Sequence, residues 1–306
     1  FVSGMPFALM IEPSAKCNMN CVHCALAVSP SRQPSLMSID TYNKVLDETG
    51  NHAIVVNLWN WGEPLLNPSI GEMIRLAGKK GVLTAMHTNG LALTEELSRQ
   101  LIDERLSYMV VSLDGATPES YGVLRAKGDF ERVKDNVADF VRLRKERGKH
   151  FPLLELKMVV NRSNENQLLE FEKLGESLEV DRITYRKLVW AHNPSMEELA
   201  SDIAAYRQRH GYLHNINSCK IACNRPWRSA VILVNGDVST CCSDTSFQHI
   251  MGNVNDEGGF TRIWNNEKYR AFRRQILTEP ESIPICRTCP GASFRHDTFI
   301  KFKGDN

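Results

Sequence analysis

Cys17-Asn-Met-Asn-Cys21-Val-His-Cys24 sets three thiols within eight residues of chain. Three thiolates leave a tetrahedral zinc ion one ligand short. His23 is at hand to complete it, but its place between Val22 and Cys24 strains simultaneous ligation. The same thiolates hold three irons of a [4Fe–4S] cube, whose usual complement is four cysteines. The fourth iron is then open to a ligand that is not protein. The spacing points to such a cluster ahead of zinc, and further ahead of a disulfide.

A second set follows far along the chain: Cys219, Cys223, Cys241, Cys242, Cys286 and Cys289. Cys223, one of the Cys241-Cys242 pair and Cys286-x-x-Cys289 make a tetrathiolate site. A hairpin next to C-x-x-C is also how zinc ribbons are built, so the residues alone leave zinc and iron–sulfur level. All nine cysteines of the 306 residues fall in these two sets, and the number is odd. Clustering of this kind, with no signal peptide visible, reads as metal binding in a cytoplasmic protein. A net charge of +1 gives no pull toward nucleic acid or membrane, and no apolar run is long enough to span a bilayer. The chain begins with Phe1, so residues before it are not excluded.

The elements that must position these thiols alternate. Strands are expected at Phe7–Glu12, Ala53–Trp59, Leu83–Thr88, Ser107–Leu113, Leu153–Val160 and Arg182–Leu188. Helices are expected from Ser38 to Gly50 and over Pro68–Lys79, Thr94–Glu104, Phe130–Arg147, Glu165–Ser177 and Met196–Gly211. Six strand–helix units imply an α/β fold with a parallel sheet and right-handed crossovers. They are too few to close an eight-stranded barrel, so a partial (β/α)6 TIM-like barrel is expected over 1–211. In such barrels chemistry sits beyond the C-terminal strand ends. Cys17–Cys24, Trp61-Gly62-Glu63, Asn89 and Asp114 follow strands one to four in that position. Residues 212–306 read as a small cysteine-rich unit. It carries a β-hairpin (Ala230–Val234, Asn235-Gly236, Asp237–Thr240) and a helix over Phe260–Leu277.

C-x-x-x-C-x-aromatic-C after a first strand resembles the radical S-adenosylmethionine (SAM) superfamily. Trp61-Gly62-Glu63-Pro64 is similar to that family's Gly-Gly-Glu motif, with Trp61 in place of the first glycine. Thr88-Asn89-Gly90 and Ser112-Leu113-Asp114-Gly115 are similar to the ends of its third and fourth strands. The resemblance implies that SAM chelates the open iron and is cleaved to a 5′-deoxyadenosyl radical. It assigns Gly62 and Glu63 to the methionine moiety, Ser112 and Asp114 to the ribose or carboxylate region, Arg125 to the carboxylate, and Trp61 and Asn89 to the cofactor pocket. For Arg125 a solvated helix charge is an equal reading, and for Asn89-Gly90 and Asp114-Gly115 a plain turn is another.

Cys223-x-x-Pro226-Trp227, Asn235-Gly236-Asp237-Val238, Cys241-Cys242-x-Asp244, Gly252-Asn253, Ile263-Trp264 and Cys286-x-x-Cys289 resemble the SPASM/twitch extension of the same superfamily. That resemblance implies an auxiliary [4Fe–4S] cluster on Cys223, Cys241, Cys286 and Cys289. No cysteine follows Cys289, which favours the twitch form with one cluster. Three reactions stay open. Similarity to aminocyclitol dehydrogenases of antibiotic biosynthesis implies oxidation of a secondary alcohol on a small sugar or aminocyclitol. The auxiliary cluster then accepts the electron, and Arg186 or Lys187 contacts substrate unless they form a salt-bridged rim. Epimerisation would use Cys242 or Cys219 as hydrogen donor. Modification of a ribosomal peptide is the third reading, and the short segment before strand one counts against it. A flavodoxin or ferredoxin is the implied electron donor.

Overall fold

The computed structural model describes residues 4–24, 26, 33–188, 194–202, 223–287, 289 and 298–302. Six parallel strands, β1 (Ala8–Ile11), β2 (Val55–Leu58), β3 (Leu83–Thr88), β4 (Tyr108–Ser112), β5 (Leu153–Val160) and β6 (Arg182–Lys187), pair in sequence order. Helices α1 (Ile39–Thr49), α2 (Ile70–Lys79), α3 (Glu95–Asp103), α4 (Pro118–Leu124), α5 (Phe130–Glu146) and α6 (Leu168–Ser177) connect them. The architecture is the expected partial barrel of alternating strands and helices.

Side chains alternate across each strand, so one sheet face is apolar and the other mixed. Leu9, Ile11, Val56, Leu58, Met86, Val111, Leu156 and Met158 are buried on the helix side. Tyr42, Leu46, Ile74, Leu101, Val137 and Phe140 are buried on the helices that cover them. Burying a side chain such as Phe140 stabilises by about 1.5–3 kcal/mol. The opposite face carries Met10, Asn57, Ala85, Val110 and Lys157 at matching registers or one layer apart and lines the barrel lumen.

Helix starts follow their caps. Ser38 accepts from Thr41 N at 3.1 Å, and Asp129 from Arg132 N at 3.1 Å. Helix α4 has no counterpart in the expected elements. Its signal is local: Thr117 and Ser120 form a capping box and Pro118 occupies the first turn. Helix α6 starts later than expected, at Leu168, because Asn164 closes a turn on Asn161 N at 2.8 Å.

The C-terminal elements do not form a separate sheet. β7 (Ser229–Ile232) pairs parallel with β1, and β8 (Asp237–Ser239) and β9 (Ile250–Asn253) extend that edge antiparallel. β10 (Thr298–Phe302) adds antiparallel to β6. One ten-stranded sheet results, ordered β10-β6-β5-β4-β3-β2-β1-β7-β8-β9. The hairpin turn is as expected, with Gly236 at φ 89°. The helix expected over Phe260–Leu277 is two, α8 (Gly259–Trp264) and α9 (Glu267–Thr278); α7 is the short turn Arg225–Arg228. The break lies at Asn266, whose side chain accepts from Tyr269 N at 2.8 Å and starts the second helix. The helix expected over Met196–Gly211 is also corrected. A 3-10 turn spans Pro194–Leu199, residues 200–202 are not helical, and the remainder lies outside the described residues.

Candidate active site

Gly62 is fixed by close approach. A Cβ there would lie 1.8 Å from Ser14 O and 2.9 Å from Lys16 O, so only glycine lets the β2 end lie on the strand leading into the cysteine loop. Glu63 N donates to Lys16 O at 2.8 Å. The Glu63 carboxylate is buried and accepts from Thr88 Oγ1 (2.7 Å), Asn89 N (2.8 Å) and Leu65 N (3.1 Å). Burial pushes its carboxyl up. Glu63 is thus a brace joining the ends of β2 and β3. Glu12 does similar work one strand over, accepting from Trp61 N and Asn60 Nδ2, both at 3.3 Å, and Val234 N at 3.2 Å.

From the other side, Asp114 accepts from Arg125 Nε at 2.6 Å and Val159 N at 2.7 Å. Its backbone carbonyl accepts from Asn164 Nδ2 at 2.9 Å. Arg125 is buried and ion-paired, which removes the solvated-charge reading. Asp114-Gly115 is likewise more than a turn. Arg125 Nη1 lies 3.7 Å from Cys21 Sγ. Asn89 Nδ2 donates to Asn18 Oδ1 at 2.7 Å and lies 3.8 Å from Cys17 Sγ. Asn20 N and Val22 N donate to Ala126 O and Leu124 O, so the loop is laced to the turn after α4. Cys17, Cys21 and Cys24 interact electrostatically; burial raises the Cys17 thiol to about 11. Cys21 is raised by burial too, against the pull of Arg125. Ser112 is buried at the end of β4. Three thiols on one loop, a glycine cradle and a cation at Cys21 fit a thiolate-bound cluster with a ligand pocket beside it. Among the described residues no three Cys, His, Asp or Glu side chains close on one metal ion. A four-iron cube spans more than that.

The second thiol set is gathered from three segments. Arg225 Nη1 donates to Cys242 Sγ at 3.0 Å, and its guanidinium also feels Cys241, Cys289 and Cys223. Cys286 interacts with Cys289 and Cys223, and burial raises its thiol to about 12. The hydrogen bond between Cys241 and Cys242 raises the first and lowers the second, Arg225 adding to the fall. Cys223, Cys241, Cys242, Cys286 and Cys289 are therefore one group. Cys219 lies outside the described residues.

Arg186 faces the lumen near two residues the spacing did not reveal, Lys157 and His87. Lys157 Nζ lies 3.3 Å from His87 Nδ1, and the His87 ring stacks on Trp59 at 4.0 Å and 15°. Burial lowers Lys157 to about 8 and holds His87 well below its ordinary value. One signal for Lys157 is legible afterwards: it interrupts the apolar run of a central strand. Arg225 carried none beyond its place between Cys223 and Pro226.

Residues 11–158 match the radical SAM superfamily and residues 223–290 the SPASM iron–sulfur cluster-binding domain. The chain carries a radical SAM domain followed by a SPASM domain. Radical SAM domains bind a [4Fe–4S] cluster and SAM, and SPASM domains bind auxiliary iron–sulfur clusters. The mycofactocin maturase MftC of Mycobacterium tuberculosis is 28% identical over 93% of this chain and 75% of its own. BtrN, solved with AdoMet and 2-DOIA, shares the fold with a TM-score of 0.60 at 19% identity, covering 96% of each chain. SuiB of Streptococcus suis, solved with the precursor peptide SuiA, shares it with a TM-score of 0.70 at 14% identity, over 95% of this chain and 72% of its own. No helix among the described residues is long and apolar enough to cross a membrane.

Proposed function

We propose that this radical SAM enzyme oxidises an alcohol carbon of a small polar substrate, a sugar or aminocyclitol, and passes the released electron to an auxiliary cluster. The observation that carries the reading is the group of thiols around Arg225, on elements that β7 joins to the barrel. When bound, the SAM-ligated cluster supplies the radical that takes a hydrogen atom from carbon, and the auxiliary cluster supplies an electron acceptor. Cys17, Cys21 and Cys24 hold the first cluster. Trp61, Gly62, Asn89 and Ser112 shape the SAM pocket. Glu63 and the Asp114–Arg125 pair fix the strand ends around it and exclude water. Cys223, Cys241, Cys286 and Cys289 hold the auxiliary cluster, and Arg186 contacts substrate from β6. BtrN, solved with 2-DOIA and alike in fold from end to end, supports the choice of substrate.

A second reading, modification of a ribosomal peptide, draws on MftC, a maturase by name, and on the peptide-bound SuiB. Epimerisation is less favoured. Cys242 turns its sulfur onto Arg225 among the auxiliary thiols, where a ligand or cluster neighbour belongs rather than a hydrogen donor.

The test is anaerobic reconstitution followed by incubation with SAM, dithionite and a panel of aminocyclitols, sugars and short peptides encoded beside the gene. Alcohol oxidation gives one ketone per 5′-deoxyadenosine. A modified peptide with no oxidised polyol replaces the first reading with the second. Zinc alone, with no iron or sulfide, sinks both.

A further inference from the structure

Among the described residues, Lys157 feels the cations Arg125 and Arg186 and the carboxylates Asp114 and Glu155, and Arg182 stands beside Glu155. Asp114 is taken by Arg125 at 2.6 Å. Glu155 is shared by the Tyr108 hydroxyl and by Arg182, whose Nη1 stands 3.9 Å away. Lys157 is different. Among the described residues no carboxylate lies within ion-pair distance of it, and its hydrogen-bond partner is the ring of His87 at 3.3 Å. That ring is held flat against Trp59, and its burial beside Lys157 and Arg186 keeps it uncharged. An ammonium half-sunk in a barrel beside further cations, with only a neutral imidazole to bond among the described residues, is an arrangement that folding alone disfavours. It persists where a ligand supplies the missing charge.

We propose that Lys157, aimed into the lumen from β5 and seated on His87 and Trp59, is the receptor for an anionic group, a carboxylate or a phosphate, on the substrate. The Trp59–His87 stack fixes the height of the ammonium. The proposal rests on the reading that the lumen is the substrate chamber. It narrows the proposed sugar or aminocyclitol class to members that bear such a group: a sugar acid, or a sugar or aminocyclitol phosphate.

Selective acylation tests it on the reconstituted holoenzyme. Burial lowers Lys157 to about 8, so at pH 8 its amine is nucleophilic and N-acetoxysuccinimide labels it, with Lys79 and Lys145 as surface references read by peptide mass spectrometry. Glycolate or inorganic phosphate at millimolar concentration is expected to slow labelling of Lys157 about tenfold relative to the references, and myo-inositol to leave it unchanged. Comparing the two anions tells the carboxylate from the phosphate. Equal protection by myo-inositol, or none by either anion, overturns the proposal. So does full protection by SAM alone, which would make the anion the cofactor's own carboxylate. A second measurement needs no ligand: Lys157→Met should raise the melting temperature of the substrate-free enzyme, and a fall would mean the ammonium is already satisfied. Formation of 5′-deoxyadenosine from SAM and dithionite in the same preparation reports the radical SAM reading separately.

Discussion

The two thiol groups are built on opposite plans. Cys17, Cys21 and Cys24 lie within one loop and need no tertiary structure to be neighbours. What the fold adds there is a surround: Gly62 against Ser14, Glu63 bracing β2 to β3, and Arg125 bridging Asp114 and Cys21. The second group joins residue 223 to 241–242 and to 286 and 289, and only the hairpin and α9 bring them together. There the fold makes the site itself, and one guanidinium stands among the sulfurs at 3.0 Å from the nearest. The first plan protects an exchangeable position for a ligand. On the proposed function, the second encloses a group that has to exchange only electrons. The difference predicts that damage should separate cleanly between them.

The largest separation is expected from the cysteines. Replacing Cys17, Cys21 and Cys24 together by Ala should remove SAM cleavage, at least a thousandfold by 5′-deoxyadenosine formation, while the auxiliary iron remains. Cys286→Ala should do the reverse, keeping SAM cleavage without substrate and losing product. If the first variant loses all its iron, the two sites are not independent. Gly62→Ala comes next. Its methyl must displace backbone 1.8 Å away, a cost of about 1–3 kcal/mol at a position that cannot relax by rotamer. SAM affinity should fall roughly tenfold or more, measured by equilibrium dialysis, with the auxiliary cluster unchanged.

These contrasts also explain what the sequence could show. Cys17–Cys24, Trp61-Gly62-Glu63, Asn89 and Asp114 were legible because each sits on a strand end that periodicity marks, and strand ends define a barrel's active face. The six parallel strands were legible for the same reason. The merging of the C-terminal hairpin into the barrel sheet through β7 and β1 was not. Nothing in Ser229–Ile232 tells a parallel partner from an antiparallel one, because pairing is decided by which edge is free. Lys157, His87 and Trp59 stayed hidden because their meaning is their common face, three strands apart. Glu63 and Asp114 were visible as acids, but their work as braces depends on donors from distant segments.

Arg225 offers a smaller and more selective probe. A cation beside cluster thiolates in a partly buried site favours the reduced, more negative state. Arg225→Met should therefore lower the auxiliary midpoint potential. A tenfold loss of preference for the reduced form corresponds to about 59 mV for one electron. An EPR-monitored redox titration reads both clusters in one sample, and the SAM-site signal should not move. Arg225→Lys should recover part of the shift, since it keeps the charge and loses the fork. Equal shifts at both sites would mean that the variant perturbs the fold and not the second group's electrostatics.

The smallest effect tests the assembly of the second group rather than its charge. Asn266 caps α9 by accepting from Tyr269 N, and α9 leads to Cys286 and Cys289. The same helix places Arg273 over the rings of Trp264 and Tyr269, at 4.3 and 4.2 Å, and donates from it to Pro226 O at 2.9 Å, next to Arg225. Loss of the cap in Asn266→Ala costs about 1 kcal/mol, which lowers the melting temperature by only about 2 °C in a chain of this size. The consequence should nonetheless be lopsided. A site whose ligands come from three segments loses its geometry when the element joining them frays. A site on one loop, braced by Glu63 and Arg125, does not depend on α9 at all. Iron release to a chelator should therefore quicken several-fold for the auxiliary cluster and stay constant for the cluster of Cys17, Cys21 and Cys24. Equal acceleration of both would show that the continuous sheet couples the two plans after all.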